Sequence, residues 1–357
     1  MHPLLINLGY GRSGTTFAYN LLRANLPEAV VWHERLSARQ ARRVELFRCD
    51  ALARPDDAGG ADGPTAWDPS AEENAAIAAM LDEADEVLRT QPLVILGGTM
   101  SHLAPLLIGR YGADRVSTFH LHRHPFLVSA AALTSSGPDM WTDIPLDRAD
   151  RGRWKLTPLE DRVAYPELRS VWDGLSPYCR MAYQWLEQTR YAADFPALHP
   201  EVGSLDLPSQ SLFADPRRLV DFARERLGLG PRGSIDVPAN QNATWLRNRE
   251  RNPLGERDWM AARELEPLVA FGESLGYEFG VETLRGRLAK YALPDGWSSR
   301  LRHATGYWRM RERLAASLRR IGLVPPRQID HDGSQPRSAG AAIAEAGRHL
   351  VSGGSRR

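Results

Sequence analysis

The chain has 357 residues, 43% of them hydrophobic and 25% charged, and its formal net charge is +1. These are globular proportions, and the nearly balanced charge excludes a global field that would draw the protein to nucleic acid or acidic membranes. No uncharged run reaches the ~18 residues that span a bilayer, and the apolar run in MHPLLIN is too short for a secretory signal, so we expect a cytoplasmic enzyme.

Strands and helices alternate along the chain. An apolar run at 4–8, interrupted only by Asn7, predicts a buried parallel strand, and a helix over 15–24 follows it. Further strands are predicted at 29–32, 92–98, 115–123 and 201–208, and further helices near 70–89, 102–112, 178–191, 215–227 and 260–276. This order predicts β-α-β units, and therefore a three-layer α/β/α fold with a central, mainly parallel sheet of about five strands.

The residues that follow the strands carry the functional information, because ligands of such sheets bind outside the carboxyl ends of the strands. The turn after the first strand has the outline of a phosphate-binding loop. Gly9 and Gly14 keep the spacing of G-x-x-x-x-G-K-[ST] and Thr16 keeps the hydroxyl, but Thr15 replaces the lysine of nucleoside triphosphatases. The helix N-terminus and the guanidinium of Arg12 supply positive charge, so the loop still predicts a phosphate site.

The stretch GYGRSGTT after a first strand resembles the 5′-phosphosulfate loop of sulfotransferases of the bacterial type. These enzymes transfer a sulfuryl group from 3′-phosphoadenosine 5′-phosphosulfate (PAPS) to a hydroxyl or an amine. The resemblance covers about residues 3–280 and implies a P-loop fold, PAPS as co-substrate and no metal. It places these residues around the 5′-phosphate: Gly11, Arg12, Ser13, Gly14, Thr15 and Thr16.

The family's second signature is a strand ending in Arg, with Pro two residues later and Ser eight residues after the Arg. Arg123 and Pro125 match it, whereas Ala131 occupies the serine position. Ser129 lies two residues earlier, about 200° away around a helix, and reaches the same phosphate only if that helix begins differently. The resemblance implies that Arg123, with Ser129 as the substitute serine, binds the nucleotide. The stretch NQNATWLRNRERN (240–252) is the candidate for the family's basic closing loop.

Sulfuryl transfer needs a base for the acceptor's proton and cations where negative charge develops. The family supplies the base as a carboxylate after the second strand or as a histidine after the next core strand. The stretch WHERL resembles the G-H-E-R of some bacterial members, so Glu34 is the first candidate and His102 the second. His33 is expected to point away from Glu34 in an extended backbone. Arg12 is the candidate catalytic cation.

We predict one sulfotransferase-like domain over 1–283, with an insertion at about 50–70 and a variable acceptor-pocket region at about 135–175. A basic helical extension over 284–325 and a disordered tail over 326–357 complete the chain. We expect a small-molecule or carbohydrate acceptor. The sequence does not reveal its identity, because tryptophan-rich segments suit sugar faces as well as aromatic or lipid-like groups. The arginine-rich segment 284–322 forms a solvated helix or binds an acidic acceptor, a membrane surface or a carrier protein.

Two other functions stay open at this point. A P-loop kinase or NTPase would need Arg12 to replace the missing lysine and a carboxylate to hold Mg²⁺. A non-catalytic nucleotide-binding relative would explain why alanine occupies position 131 and why Trp32 replaces the glycine of the family stretch.

Overall fold

Five short strands form one parallel sheet. The computed structural model describes residues 1–35, 75–98, 103–136, 157–158, 163–239, 249–250 and 252–293. The strands are β1 (Leu4–Asn7), β2 (Val30–His33), β3 (Leu93–Leu96), β4 (Val116–His122) and β5 (Gly203–Pro208). Their order is β2-β3-β1-β4-β5, and every pair is parallel. The predicted α/β fold with a five-stranded parallel sheet is confirmed.

Helices cover both faces of this sheet. They are α1 (Thr15–Asn25), α2 (Ala75–Thr90), α3 (Ala104–Tyr111), α4 (Pro125–Ser136), α5 (Pro177–Leu198), α6 (Ser209–Ala214), α7 (Arg217–Arg226), α8 (Glu256–Arg263), α9 (Glu266–Ser274) and α10 (Val281–Leu288). Two 3₁₀ helices span Pro166–Gly174 and Ala289–Tyr291.

The alternation of side chains along each strand builds two core layers. In β1, Leu5 packs with α1 and α7, whereas Leu4 and Ile6 pack on the opposite face with α2, α3 and the end of α5. A third cluster joins α4 and α5 to α8, α9 and α10. Burial on both faces is why β1 and β3 are almost entirely apolar.

The helix predicted at 260–276 is two helices, α8 and α9. Pro267 lies in the first turn of α9. A continuous helix through this position would lose a backbone hydrogen bond and would press the proline ring against the preceding turn. The helix is therefore interrupted at Glu264 and Leu265.

The predicted boundary between 283 and 284 lies inside α10. Leu284 and Leu288 of this helix are buried in the same cluster as α5. The division into domains stays a prediction, because the insertion at 50–70, most of the region 135–175, the extension beyond 293 and the tail lie outside the described residues.

Candidate active site

The turn after β1 is fixed by one buried polar side chain and by close backbone packing. Asn7 Oδ1 accepts a hydrogen bond from the backbone N–H of Gly9 at 2.9 Å, which explains an asparagine inside an apolar strand. A Cβ on Gly9 would lie 2.2 Å from the carbonyl oxygen of Leu121 in β4. A Cβ on Gly98, just after β3, would lie 2.3 Å from the backbone nitrogen of Gly11. The loop is therefore held against the ends of both strands that flank β1.

The first turn of α1 is open to an anion. Gly14 precedes the helix with φ 103°, and no side chain caps the first turn. Ser13 Oγ is buried and has no hydrogen-bond partner among the described residues. Thr15 is buried, whereas the next threonine, Thr16, is exposed and can offer its hydroxyl to a ligand. Unpaired amides and a positive dipole end at a helix N-terminus favour bound phosphate, so the turn suits the predicted ligand.

The Arg123 side chain bonds the backbone of the loop beside this helix N-terminus. Arg123 Nη1 donates to the carbonyl oxygen of Arg12 at 3.5 Å. Within the described residues, neither guanidinium forms an ion pair with a carboxylate. Ser209, the first residue of α6, donates through Oγ to the carbonyl oxygens of Ser13 and, at 2.9 Å, of His122. The loop and the end of β4 are thus tied together, and their cations lack a counter-ion from this part of the protein.

A lysine and a tyrosine from beyond residue 284 also lie near Arg123. Burial raises the pKa of Tyr291, and the adjacent Arg123 charge partly opposes that rise. Burial lowers the pKa of Lys290, and the charge of Arg123 lowers it further. Arg249, from the predicted closing loop, donates to the carbonyl oxygen of Lys290 at 3.4 Å, whereas 240–248 and 251 lie outside the described residues. The 3₁₀ helix Ala289–Tyr291 therefore adds positive charge at this edge of the sheet.

Ser129 does not stand at the surface. Helix α4 begins at Pro125, as the sequence predicts, and Ser129 is fully buried in its second turn. Its Oγ has no hydrogen-bond partner among the described residues. Its role in nucleotide binding stays a prediction.

Glu34 follows β2 at the same edge of the sheet. Its backbone N–H donates to the carbonyl oxygen of Leu96 at 2.9 Å, and its side chain is exposed. Its neighbour Arg35 pairs with Glu83 and lies over the ring of Trp32 at 4.9 Å, so Arg35 does not neutralise Glu34. Among the described residues, Arg12 and Glu34 are the non-glycine residues with positive φ, at 69° and 49°. Such a conformation costs about 1–2 kcal/mol and concentrates at functional sites.

His33 points into the protein. Burial lowers the pKa of His33, although the charge of Glu34 opposes the shift. Its ring lies 5.1 Å from that of Tyr19, and its buried Nε2 has no partner among the described residues. His102 lies outside the described residues, so the structure does not compare the two candidate bases.

A cluster of two histidines and an aspartate joins β4 and β5. His120 Nδ1 and His122 Nε2 hydrogen-bond the carboxylate of Asp206 at 2.8 and 3.2 Å. The ligand atoms lie within 4.8 Å of one another, which is near enough for a metal. The two rings, however, are stacked with centroids 4.8 Å apart and an interplanar angle of 23°. Their lone pairs run nearly parallel, so one ion cannot lie in both ring planes at the distance of about 2 Å that zinc requires.

Sequence reasoning missed Ser209, Asp206 and Lys290. Ser209 and Asp206 lie at and just before the carboxyl end of β5, so the strand-end rule could have found them. No sequence pattern points to Lys290, because its approach to Arg123 depends on how α10 packs on α4.

The fold and the site define an α/β protein with a phosphate-loop-like turn at the carboxyl edge of a parallel sheet. No protein-family model matches the chain, and no curated protein matches it. Among solved structures it is similar to the sulfotransferase domain from the Synechococcus PCC 7002 olefin synthase. The two share 16% sequence identity over 78% of this chain and 95% of that chain, with a TM-score of 0.37.

Within the described residues, every helix is too short or too polar to cross a membrane.

Proposed function

We propose that this protein is a sulfotransferase that uses PAPS to sulfate a hydroxyl or an amine of a small molecule or carbohydrate, in the cytoplasm. The observation that carries the proposal is the hydrogen bond from the Arg123 guanidinium to the backbone carbonyl of Arg12, beside the uncapped N-terminus of α1. Neither arginine forms an ion pair with a carboxylate of the described residues. A guanidinium held against a helix N-terminus, on a loop that carries a second arginine, favours a multiply charged anion.

The residues present fit such a donor. Gly11, Ser13 and Gly14 provide the turn for its 5′-phosphate, with the exposed Thr16 hydroxyl beside it. Arg123, with Lys290 close by, provides charge for a second phosphate. Thr15, buried where other phosphate loops carry lysine, leaves Arg12 as the loop's cation.

PAPS supplies the sulfuryl group in an in-line transfer. The acceptor oxygen or nitrogen forms the new bond to sulfur while the bond from sulfur to the 5′-phosphate oxygen breaks. Glu34 takes the acceptor's proton, and the loop amides with Arg12 stabilise the charge that develops on the leaving phosphate. No step requires a metal ion.

A thermal-shift experiment tests this function against a nucleoside triphosphatase. The product nucleotide, 3′-phosphoadenosine 5′-phosphate, is expected to raise the melting temperature in the presence of EDTA. At a concentration 100 times its dissociation constant it stabilises the folded protein by about 2.7 kcal/mol. Stabilisation by ATP with Mg²⁺ alone would overturn the proposal in favour of a kinase or NTPase. Binding of the product nucleotide without transfer to any acceptor would leave a non-catalytic relative.

A further inference from the structure

The face of β4 and β5 that turns towards the end of α5 is polar. Thr118, His120 and His122 alternate with apolar residues in β4, and Ser204 and Asp206 do so in β5. The parallel register aligns Thr118 with Ser204 and His120 with Asp206. β4 is an interior strand, and such strands of a parallel sheet are normally apolar on both faces, so its polar side chains call for a ligand or a network that satisfies them.

A cleft opens beside this polar row. Its volume is about 210 Å³, and it lies between the row, the end of α5 and the end of α9. Its walls include Leu8, Ala192, Ala193, Pro196, Leu275 and the polar pair His120 and Asp206. Pockets for drug-sized ligands span roughly 300–1,000 Å³, so this one suits a molecule of about one ring. We call it the β4–β5 cleft.

The hydrogen bonds fix the charge at the mouth of this cleft. The Asp206 side chain is 61% exposed, whereas that of His120 is 5% exposed. Partial burial opposes ionisation of Asp206, but hydrogen bonds from His120 and His122 outweigh it and hold the pKa of the carboxyl below its usual range. Burial lowers the pKa of His120, which is therefore neutral. The pair carries one negative charge.

The same hydrogen bonds leave one nitrogen of His120 without a donor. A neutral His120 donates its Nδ1 proton to the ionised Asp206, so its Nε2 carries a lone pair. This Nε2 is buried and has no hydrogen-bond partner among the described residues. The hydroxyls of Thr118 and Ser204 hydrogen-bond each other at 2.7 Å, and neither donates to this Nε2. Arg218 donates to the backbone carbonyl of Asp206 at 3.5 Å and does not form an ion pair with its carboxylate.

We propose that the β4–β5 cleft is a second binding site, which takes a compact amine: an apolar body of about one ring with a single protonated nitrogen. The ring lies against the alanines and Pro196, and the ammonium group donates to the exposed carboxylate of Asp206. The site is separate from the acceptor site proposed at Glu34, because β5 and β2 are opposite edges of the sheet.

Calorimetric titration with benzylamine near neutral pH, in the absence of nucleotide, tests the proposal. Benzylammonium is expected to bind about tenfold or more tightly than benzyl alcohol, since hydrogen bonds to a charged group are stronger than those to a neutral one. Benzoate, which has the same ring and the opposite charge, is not expected to bind. Equal affinity for the amine and the alcohol, or no binding of the amine, would overturn the proposal.

Two variants locate the site. Asp206→Asn is expected to weaken benzylammonium about tenfold and to leave benzyl alcohol unchanged. Ala193→Phe places a ring in the cleft while leaving every residue of the polar row in place, and is expected to abolish binding of both probes. Each variant is first compared with wild type in a thermal melt, and Arg218→Ala is the matched surface control, with undiminished affinity for the amine. Full affinity in folded Ala193→Phe places the amine elsewhere and contradicts the proposal.

Discussion

At the scale of single residues, the two described non-glycine residues with positive φ are also candidates for chemistry. Arg12 and Glu34 both have positive φ without being glycine, and both stand at the carboxyl edge of the sheet. Sequence motifs could point to them, because each follows a strand. The sequence could not show that Arg35 would pair with Glu83 and leave Glu34 exposed, because that pairing depends on where α2 packs.

Replacing Glu34 by Gln is expected to lower the turnover number by ~100- to 10,000-fold, the usual contribution of a general base. Affinity for the nucleotide is expected to stay nearly unchanged, because the proposed nucleotide contacts lie on the loop and β4. Steady-state assays of sulfate transfer, with nucleotide binding measured separately, check both values.

Glu83→Gln is the matched control, since it removes a nearby carboxylate that already has Arg35 as its partner. Near-normal turnover in Glu34→Gln would remove Glu34 as the base. A large loss in His102→Gln instead would give the role to the histidine.

Among the elements, the phosphate loop owes its shape to glycines that serve different purposes. Gly9 is in contact with β4, whereas a Cβ on Gly11 would meet no atom within 4 Å. The loop and the strands could be predicted, because apolar runs and glycine spacing are local signals. The strand-end rule could point to Ser209 and Asp206 themselves. Their hydrogen bonds to β4 could not be predicted, because these depend on the order and register of strands distant in sequence.

Gly9→Ala is expected to destabilise the protein by more than about 2 kcal/mol, because its Cβ would overlap the carbonyl oxygen of Leu121. Gly11→Ala is expected to change the free energy of unfolding by less than about 0.5 kcal/mol, since it meets open space. Urea denaturation of the two variants measures the difference. Equal free energies of unfolding would show that Gly9 does not lie against Leu121 of β4.

For the whole molecule, buried histidines make stability depend on pH. His124 is fully buried, accepts from the backbone N–H of Phe126 at 3.2 Å and contacts the carbonyl oxygen of Glu278 at 3.0 Å. It thereby caps α4 in its neutral form. Burial, with smaller effects from Arg287 and Arg123, lowers its pKa to about 4. Burial also lowers the pKa values of His120 and His33.

The unfolded chain therefore binds protons before the folded protein does, and stability falls as the pH falls from 7 towards 4. His124 alone is expected to lower the free energy of unfolding by about 2 kcal/mol between pH 7 and pH 5. His124→Asn keeps a capping side chain and is expected to remove this part of the pH dependence. Urea denaturation at both pH values checks it, and the exposed His2→Asn is the control. An undiminished pH dependence in His124→Asn would assign the effect to other groups.

More of the fold than of the candidate site could be predicted from the sequence. Alternating apolar strands and helices predict the parallel sheet, and Pro125 predicts the start of α4. The break at Pro267, the cap from His124 and the approach of Lys290 to Arg123 arise from tertiary packing, which no local pattern encodes.

Calorimetric titration of 3′-phosphoadenosine 5′-phosphate into the full chain, with EDTA present, is the measurement that decides whether the loop holds this nucleotide. The wild-type protein is expected to bind it without a metal. Arg12→Ala is expected to weaken binding by roughly tenfold or more, the loss of a charge-assisted contact, whereas Arg23→Ala at the far end of α1 has no effect. An unchanged dissociation constant in Arg12→Ala, or binding of ATP with Mg²⁺ in place of the bisphosphate, would contradict the account.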